Sequence, residues 1–244
     1  MRAPAGLSAM TDFARRAATL FAALLALALV GFWPSYLSKP FAGIDRYTHL
    51  HAALATLWFA LLIAQPLLLR AGRRSAHRAL GRVSFALAPA FVAASLLLAH
   101  QRFAAMDEAR FREEGMFFYL PAFSALLFAL CWGGGIVWRH VPSAHARLMA
   151  GTAMTLIAPV LARVVGFYGP QDLPLWANDL VSFGATDAAL LALWAATPAR
   201  DVPGRRAATG MLVLFVACHV GWFTLARSPA WFEIARAFRA LPLT

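Results

Sequence analysis

Residues 48–82 read THLHAALATLWFALLIAQPLLLRAGRRSAHRALGR, and this stretch decides the fold. Its first half belongs to an apolar run over 47–69, the length a helix needs to cross a bilayer. The run ends in a burst of arginine: Arg70, Arg73, Arg74, Arg78 and Arg82. A second apolar run, 83–99, follows at once, so the stretch predicts two membrane spans joined by a basic loop. Further runs lie at 17–37, 116–138, 148–168, 177–197 and 207–226. The expectation is an all-α, polytopic transmembrane helix bundle of about seven spans, forming one integral membrane domain over 1–244. Composition agrees: of 244 residues, 61% are hydrophobic and 14% charged, against the ~45–50% and ~25% of ordinary soluble domains. A disordered chain, a fibre or a water-soluble enzyme is excluded on this ground. Cys131 and Cys218 both lie inside apolar runs and read as small packed hydrophobes rather than a disulfide framework.

The net charge of +11 comes from 21 Arg and one Lys. Its placement points to a membrane and not to nucleic acid. Seven spans set the loops alternately on two sides. One side carries Arg2, Arg15, Arg16, Arg70, Arg73, Arg74, Arg78, Arg82, Arg139, Arg147, Arg200, Arg205 and Arg206, opposed by Asp12 and Asp201 alone. The other side has eight basic residues, largely offset by Asp45, Asp107, Glu108, Glu113, Glu114, Asp172 and Glu233. Cationic loops are retained in the cytoplasm. The prediction is a multi-pass protein of the bacterial inner membrane, N-terminus cytoplasmic and C-terminus outside, with the arginine cluster at 70–82 on anionic headgroups. The first run, closed by Trp33-Pro34-Ser35-Tyr36-Leu37 without a small-residue cleavage site, reads as an uncleaved span. The longest loop, 100–115, reads as a solvated turn. Beyond it, 229–241 repeats Trp231, Ile234, Ala235, Phe238 and Leu241 at helical spacing, which suits a helix lying flat in the outer interface.

An internal repeat adds detail. Ser75-Ala76-His77-Arg78-Ala79-Leu80 returns as Ser143-Ala144-His145-Ala146-Arg147-Leu148, and Pro89 returns as Pro159. Two helical hairpins, spans two–three and four–five, are expected to be parallel copies. Each serine is placed to cap its helix, and His77 and His145 should lie at one depth on the cytoplasmic side. Ionisable groups inside spans are costly and seek partners in the bundle interior. Arg163, Asp179 and Asp187, with the neutral Gln65, form the predicted intramembrane polar network, and His49, His51 and His219 are further ionisable residues within spans. His145 and Arg163 are five helical turns apart and share a face. Arg163 and Asp187, on neighbouring spans near one loop, are expected to pair. Gly133-Gly134-Gly135 reads as a close helix contact rather than a nucleotide loop.

The run His51 … Gln65-Pro66 … Arg70 … His77-Arg78-Ala79-Leu80-Gly81-Arg82 resembles a family of predicted bacterial membrane proteins known only as a domain of unknown function. His145 to Arg163 is similar to that family's His-led span with an intramembrane Arg, with Ala146 where the family usually has Arg. The resemblance covers about 48–190 and implies a multi-span fold without an established chemistry. The duplicated hairpin also resembles, faintly, membrane di-haem b-type cytochromes.

Two imidazoles at like depth across a gap are what haem b ligation requires. His77 with His145, and His51 with His219, are the candidate pairs for haem or a metal ion. No Cys-x-x-Cys-His is present, so covalent c-type haem is excluded. A haem- or metal-binding redox protein is therefore the first functional expectation. A proton-coupled carrier, a non-catalytic assembly or lipid-contacting protein, and an intramembrane zinc hydrolase are the alternatives. The hydrolase reading draws on His51, Asp187 and His219, which supply ligand types but no recognised zinc spacing.

Overall fold

The computed structural model describes residues 5–244, with side chains from Phe13 onward; Arg2 and the carboxylate of Asp12 lie outside that description. Among the described residues there are nine α-helices and no strand: α1 (Ala5–Phe32), α2 (Arg46–Arg70), α3 (Arg74–Ala104), α4 (Glu108–Glu114), α5 (Tyr119–Val137), α6 (Pro142–Tyr168), α7 (Leu175–Ala195), α8 (Val202–Phe223) and α9 (Pro229–Arg239). α1 runs on through a π-helical turn, Trp33–Leu37, and a 3₁₀ turn, Gly115–Phe118, joins α4 to α5.

Six helical stretches are long and apolar enough to cross a membrane: Phe13–Leu37, Arg46–Arg70, Arg74–Ala104, Glu108–Val137, Pro142–Tyr168 and Val202–Arg227. The expected seventh span forms as α7, packed between α6 and α8. It falls short in apolarity because Asn178, Asp179 and Asp187 interrupt it.

The two expected hairpins are present as α2 on α3 and α5 on α6. α6 is the hub, touching α1, α5, α7 and α8. Its buried stretch Ala150, Gly151, Thr152 and Ala153 explains this role. Inside a bilayer, helices gain little from hiding apolar surface, and close packing of small residues drives their association instead. A Cβ on Gly151 would run into Met211 of α8 and Cys131 of α5. Large side chains such as Leu57, Leu126, Val137 and Val213 point outward, as lipid contact requires.

Several local expectations are corrected. The basic segment 70–82 is not a loop. Gly72, at φ +70°, turns the chain within Ala71-Gly72-Arg73, a conformation glycine adopts without steric cost. α3 begins at Arg74, so Arg78 and Arg82 ride on its first turns. Neither serine caps its helix: Arg73 and Val141 hold the cap positions, and Pro142 starts α6 with its fixed φ. The segment 100–115 is not a solvated turn either. α3 extends through it, α4 follows, and Met106 and Phe111 are buried. They lie under α9, whose apolar face packs on protein. Trp231 and Ala235 are buried, Phe238 stacks on Phe118 at 4.2 Å, and Arg236 and Arg239 reach Glu108 at 3.2 and 3.3 Å.

Candidate functional site

The cytoplasm-assigned ends of α2, α3 and α6 bring three predicted residues together. His77, in the first turn of α3, meets His145, in the first turn of α6, with ring centroids 6.5 Å apart and planes perpendicular. The repeat thus placed both rings correctly. Gln65 joins from the last turns of α2: its main chain lies against the His77 ring, and its amide nitrogen lies over Gly81, where a Cβ would come within 3.5 Å.

Hydrogen bonding assigns the proton on one ring. His145 Nδ1 lies 2.7 Å from the Gly135 carbonyl; a carbonyl only accepts, so Nδ1 carries the hydrogen and the neutral ring presents its lone pair at Nε2. The same carbonyl ties the glycine run of α5 to the site, while Gly134 and Gly135 press against Leu148 and Met149 of α6. In contrast, His77 Nδ1 and Gln65 Oε1 are both buried without a hydrogen-bond partner. A buried orphan polar atom costs about 1–3 kcal/mol. Both atoms keep an open hydrogen-bonding or ligating valence beside the His145 ring.

Deeper in the bundle the path closes. Trp58 is fully buried, edge-on to Phe128, which is edge-on to Phe91. Trp58 donates its indole N–H to Thr152 at 3.2 Å, and Trp132 donates to Ser84 at 3.2 Å. Trp58, Phe128 and Phe91 belong to one buried cluster with Leu61, Leu62 and Leu87.

At the outer end, His51 of α2 lies 3.2 Å from Ser95 Oγ and stacks on Phe91. Ser95 donates its hydrogen to the Phe91 carbonyl, so His51 Nδ1–H is the donor to Ser95. His219 has other partners: its Nδ1–H donates to Asp187 at 2.9 Å, and its ring stacks on Phe183. His51 and His219 therefore do not form the expected pair; α2 packs on α1 and α3, and α8 on α5, α6 and α7. Asp179 accepts from the Trp222 indole at 2.8 Å.

The Arg163–Asp187 pairing is also corrected. Arg163 points towards α1, donating to its own Pro159 carbonyl at 3.0 Å and lying 4.3 Å from the Phe32 ring centre. Asp187 turns to the opposite neighbour, α8. A cation over an aromatic face in a desolvated setting gains ~2 kcal/mol, which replaces the missing acid. Arg70, Arg73, Arg74, Arg78 and Arg82 are all exposed around the α2–α3 turn.

One polar centre escaped the sequence reading. Arg147 is buried, 3.4 Å from Asp201, with its Nε donating to Thr197 at 3.2 Å and the Phe13 ring 5.1 Å away. Its place one turn into a span, beside a basic loop, left it as one more basic residue of that side in the charge count. No cluster of three or more His, Cys, Asp or Glu side chains suited to a metal occurs among the described residues. No protein-family model, curated protein or solved structure matches the chain.

Proposed function

We propose that this integral membrane protein is a metal-binding redox protein, holding a transition-metal ion between His77 and His145 with Gln65 Oε1 as a third donor. The observation that carries the reading is the pair of buried orphan atoms, His77 Nδ1 and Gln65 Oε1, beside a second imidazole. Imidazole suits copper, zinc, iron and nickel, of which copper and iron carry electrons. The His145 Nδ1–H bond to a main-chain carbonyl is the usual outer support of a ligating histidine. Haem fits less well than an ion. A porphyrin between the rings needs a broad slot, and neither the cleft of about 420 Å³ between α5, α6 and α8 nor that of about 220 Å³ beside Trp33 is lined by a histidine.

The arginine-rich end faces the cytoplasm in this proposal, which sets the ion site near the inner surface and the cluster at 70–82 on anionic headgroups. We also propose that the pattern shared with the domain-of-unknown-function family is organised around this site, since Gln65, His77 and Gly81 converge there.

The test uses purified protein in detergent, exposed in turn to copper, zinc, iron and nickel salts, desalted and analysed for metal and optical absorption. About one ion per chain is expected. His77→Ala and His145→Ala should each lose it, whereas His140→Ala, on the exposed turn between α5 and α6, keeps it. Wild-type protein that retains none of the four metals, or that shows a haem absorption band, defeats the ion reading.

A further inference from the structure

At the same end of the bundle, the cleft of about 420 Å³ between α5, α6 and α8 opens on the outer surface. Small residues create it: Gly134 on α5, Ala144 on α6, and Ala207 and Gly210 on α8. A Cβ at Gly210 would meet open space. The floor is apolar, formed by Cys131, Met211 and Phe215, all buried.

Arg206 is the one charged residue among those lining the cleft. Its neighbours are committed elsewhere. Arg205 donates to the Trp194 and Thr197 carbonyls and lies over the Trp194 ring. Arg147 holds Asp201, whose other oxygen accepts from the Gly204 N–H. Arg206 itself is exposed, with no hydrogen bond or ion pair among the described residues. Trp138, half exposed on the rim, is the amphipathic residue that settles at headgroup level.

We infer that this cleft holds one acyl chain of an anionic phospholipid, with the lipid phosphate on Arg206. An apolar groove on a bilayer-facing surface is filled by what surrounds it, and a methylene chain matches its lining. The unpaired guanidinium supplies forked donors that suit a phosphate, and no lining carboxylate opposes the charge. A free anion lacks the tail the groove requires. The inference rests on the chain spanning a bilayer and is independent of the ion site, because neither His77 nor His145 lines the cleft.

The experiment takes delipidated protein in detergent and adds phosphatidylglycerol or phosphatidylcholine with identical chains. Native mass spectrometry then counts the lipids that survive activation. Wild-type protein should keep one phosphatidylglycerol under conditions that strip phosphatidylcholine. Arg206→Gln should lose that preference while the lipid-free protein melts at an unchanged temperature. Gly210→Leu, which fills the groove, should lose retention of the lipid altogether, and Arg139→Gln, outside the lining, should leave it intact. Equal retention of the two lipids by wild-type protein overturns the inference. So does an undiminished preference in Arg206→Gln, or full retention in Gly210→Leu.

Discussion

Asp201 does two jobs with two oxygens. One faces the Arg147 guanidinium at 3.4 Å, and the other accepts the Gly204 N–H at 3.1 Å to start α8. Arg147 is the more buried partner, so removing the acid strands a cation beneath Phe13. Stranding a buried charge is costly, although the partial exposure of Asp201 reduces the penalty. Asp201→Asn keeps a capping oxygen and loses the charge; it should destabilise by roughly 1–3 kcal/mol. Asp201→Ala loses both and should cost about 1 kcal/mol more. Thermal unfolding of both variants in one detergent separates the roles; equal losses would remove the cap from the account. The residue scale is also where sequence arguments lost precision. A helical wheel gives the face of Arg163 but not which neighbour that face meets. Close approach at Gly31, whose Cβ position lies 3.1 Å from the Val160 carbonyl, sets α1 against that side of α6. Asp187 was left to α8. The His77–His145 contact was legible because a repeated hexapeptide fixes depth and face together.

At the scale of single helices, α2 shows how an outer end is pinned. Asp45 accepts from the Tyr47 and Thr48 N–H groups at 2.9 Å each and from the Thr48 hydroxyl at 2.6 Å. Burial is the largest single influence and pushes its carboxyl up, but the Thr48 and Tyr47 hydrogen bonds together outweigh it and hold the group below the usual carboxylate range. A carboxyl whose folded value is depressed stabilises fully above its unfolded value, about pH 4, and loses that contribution as pH falls through the folded value. Amide protection at the start of α2, measured against the intrinsic rate at each pH, should therefore be full at pH 7 and fall below about pH 4. In Asp45→Ala the reduced protection should already be present at pH 7, by about 1 kcal/mol. Protection unchanged between the two proteins at pH 7 would refute the cap. Element type was legible throughout the apolar runs, where length and hydropathy leave no alternative to a spanning helix. Segment 100–115 was not, because its charges disguise Met106 and Phe111. Those two side chains find their cover only from α9, which is distant in sequence, and no local pattern announces such a contact.

For the molecule as a whole, charge and packing divide the bundle into two ends. Arg70, Arg73, Arg74, Arg78, Arg82 and Arg206 are exposed at one of them, while Glu108 with Arg236 and Arg239 knits the other. The orientation proposed above keeps the cationic turns inside the cell. In a background with Cys131 and Cys218 replaced by serine, Ser75→Cys should resist a membrane-impermeant thiol reagent in intact cells, and Asp172→Cys should react. The reverse result inverts the topology, and with it the side on which the His77–His145 pair stands. The polar groups at the two ends, with the Trp58–Phe128–Phe91 contacts in the bundle between them, do not depend on that outcome.

The polarity of α7 constrains how the chain is built during synthesis. A carboxylate near the centre of a span costs ~2.5–3.5 kcal/mol on insertion scales, and α7 carries Asp187 near its middle and Asp179 about one turn from its start. Their relief comes from α8, through Trp222 at 2.8 Å and His219 at 2.9 Å, yet α8 leaves the ribosome later. The expected outcome is that α7 enters lipid together with α8 rather than ahead of it. In the background without Cys131 and Cys218, a nascent chain stopped after Arg200 should leave Gly184→Cys open to labelling, whereas the full chain should shield it. Equal shielding in both would mean that α7 commits to the bilayer without its partner.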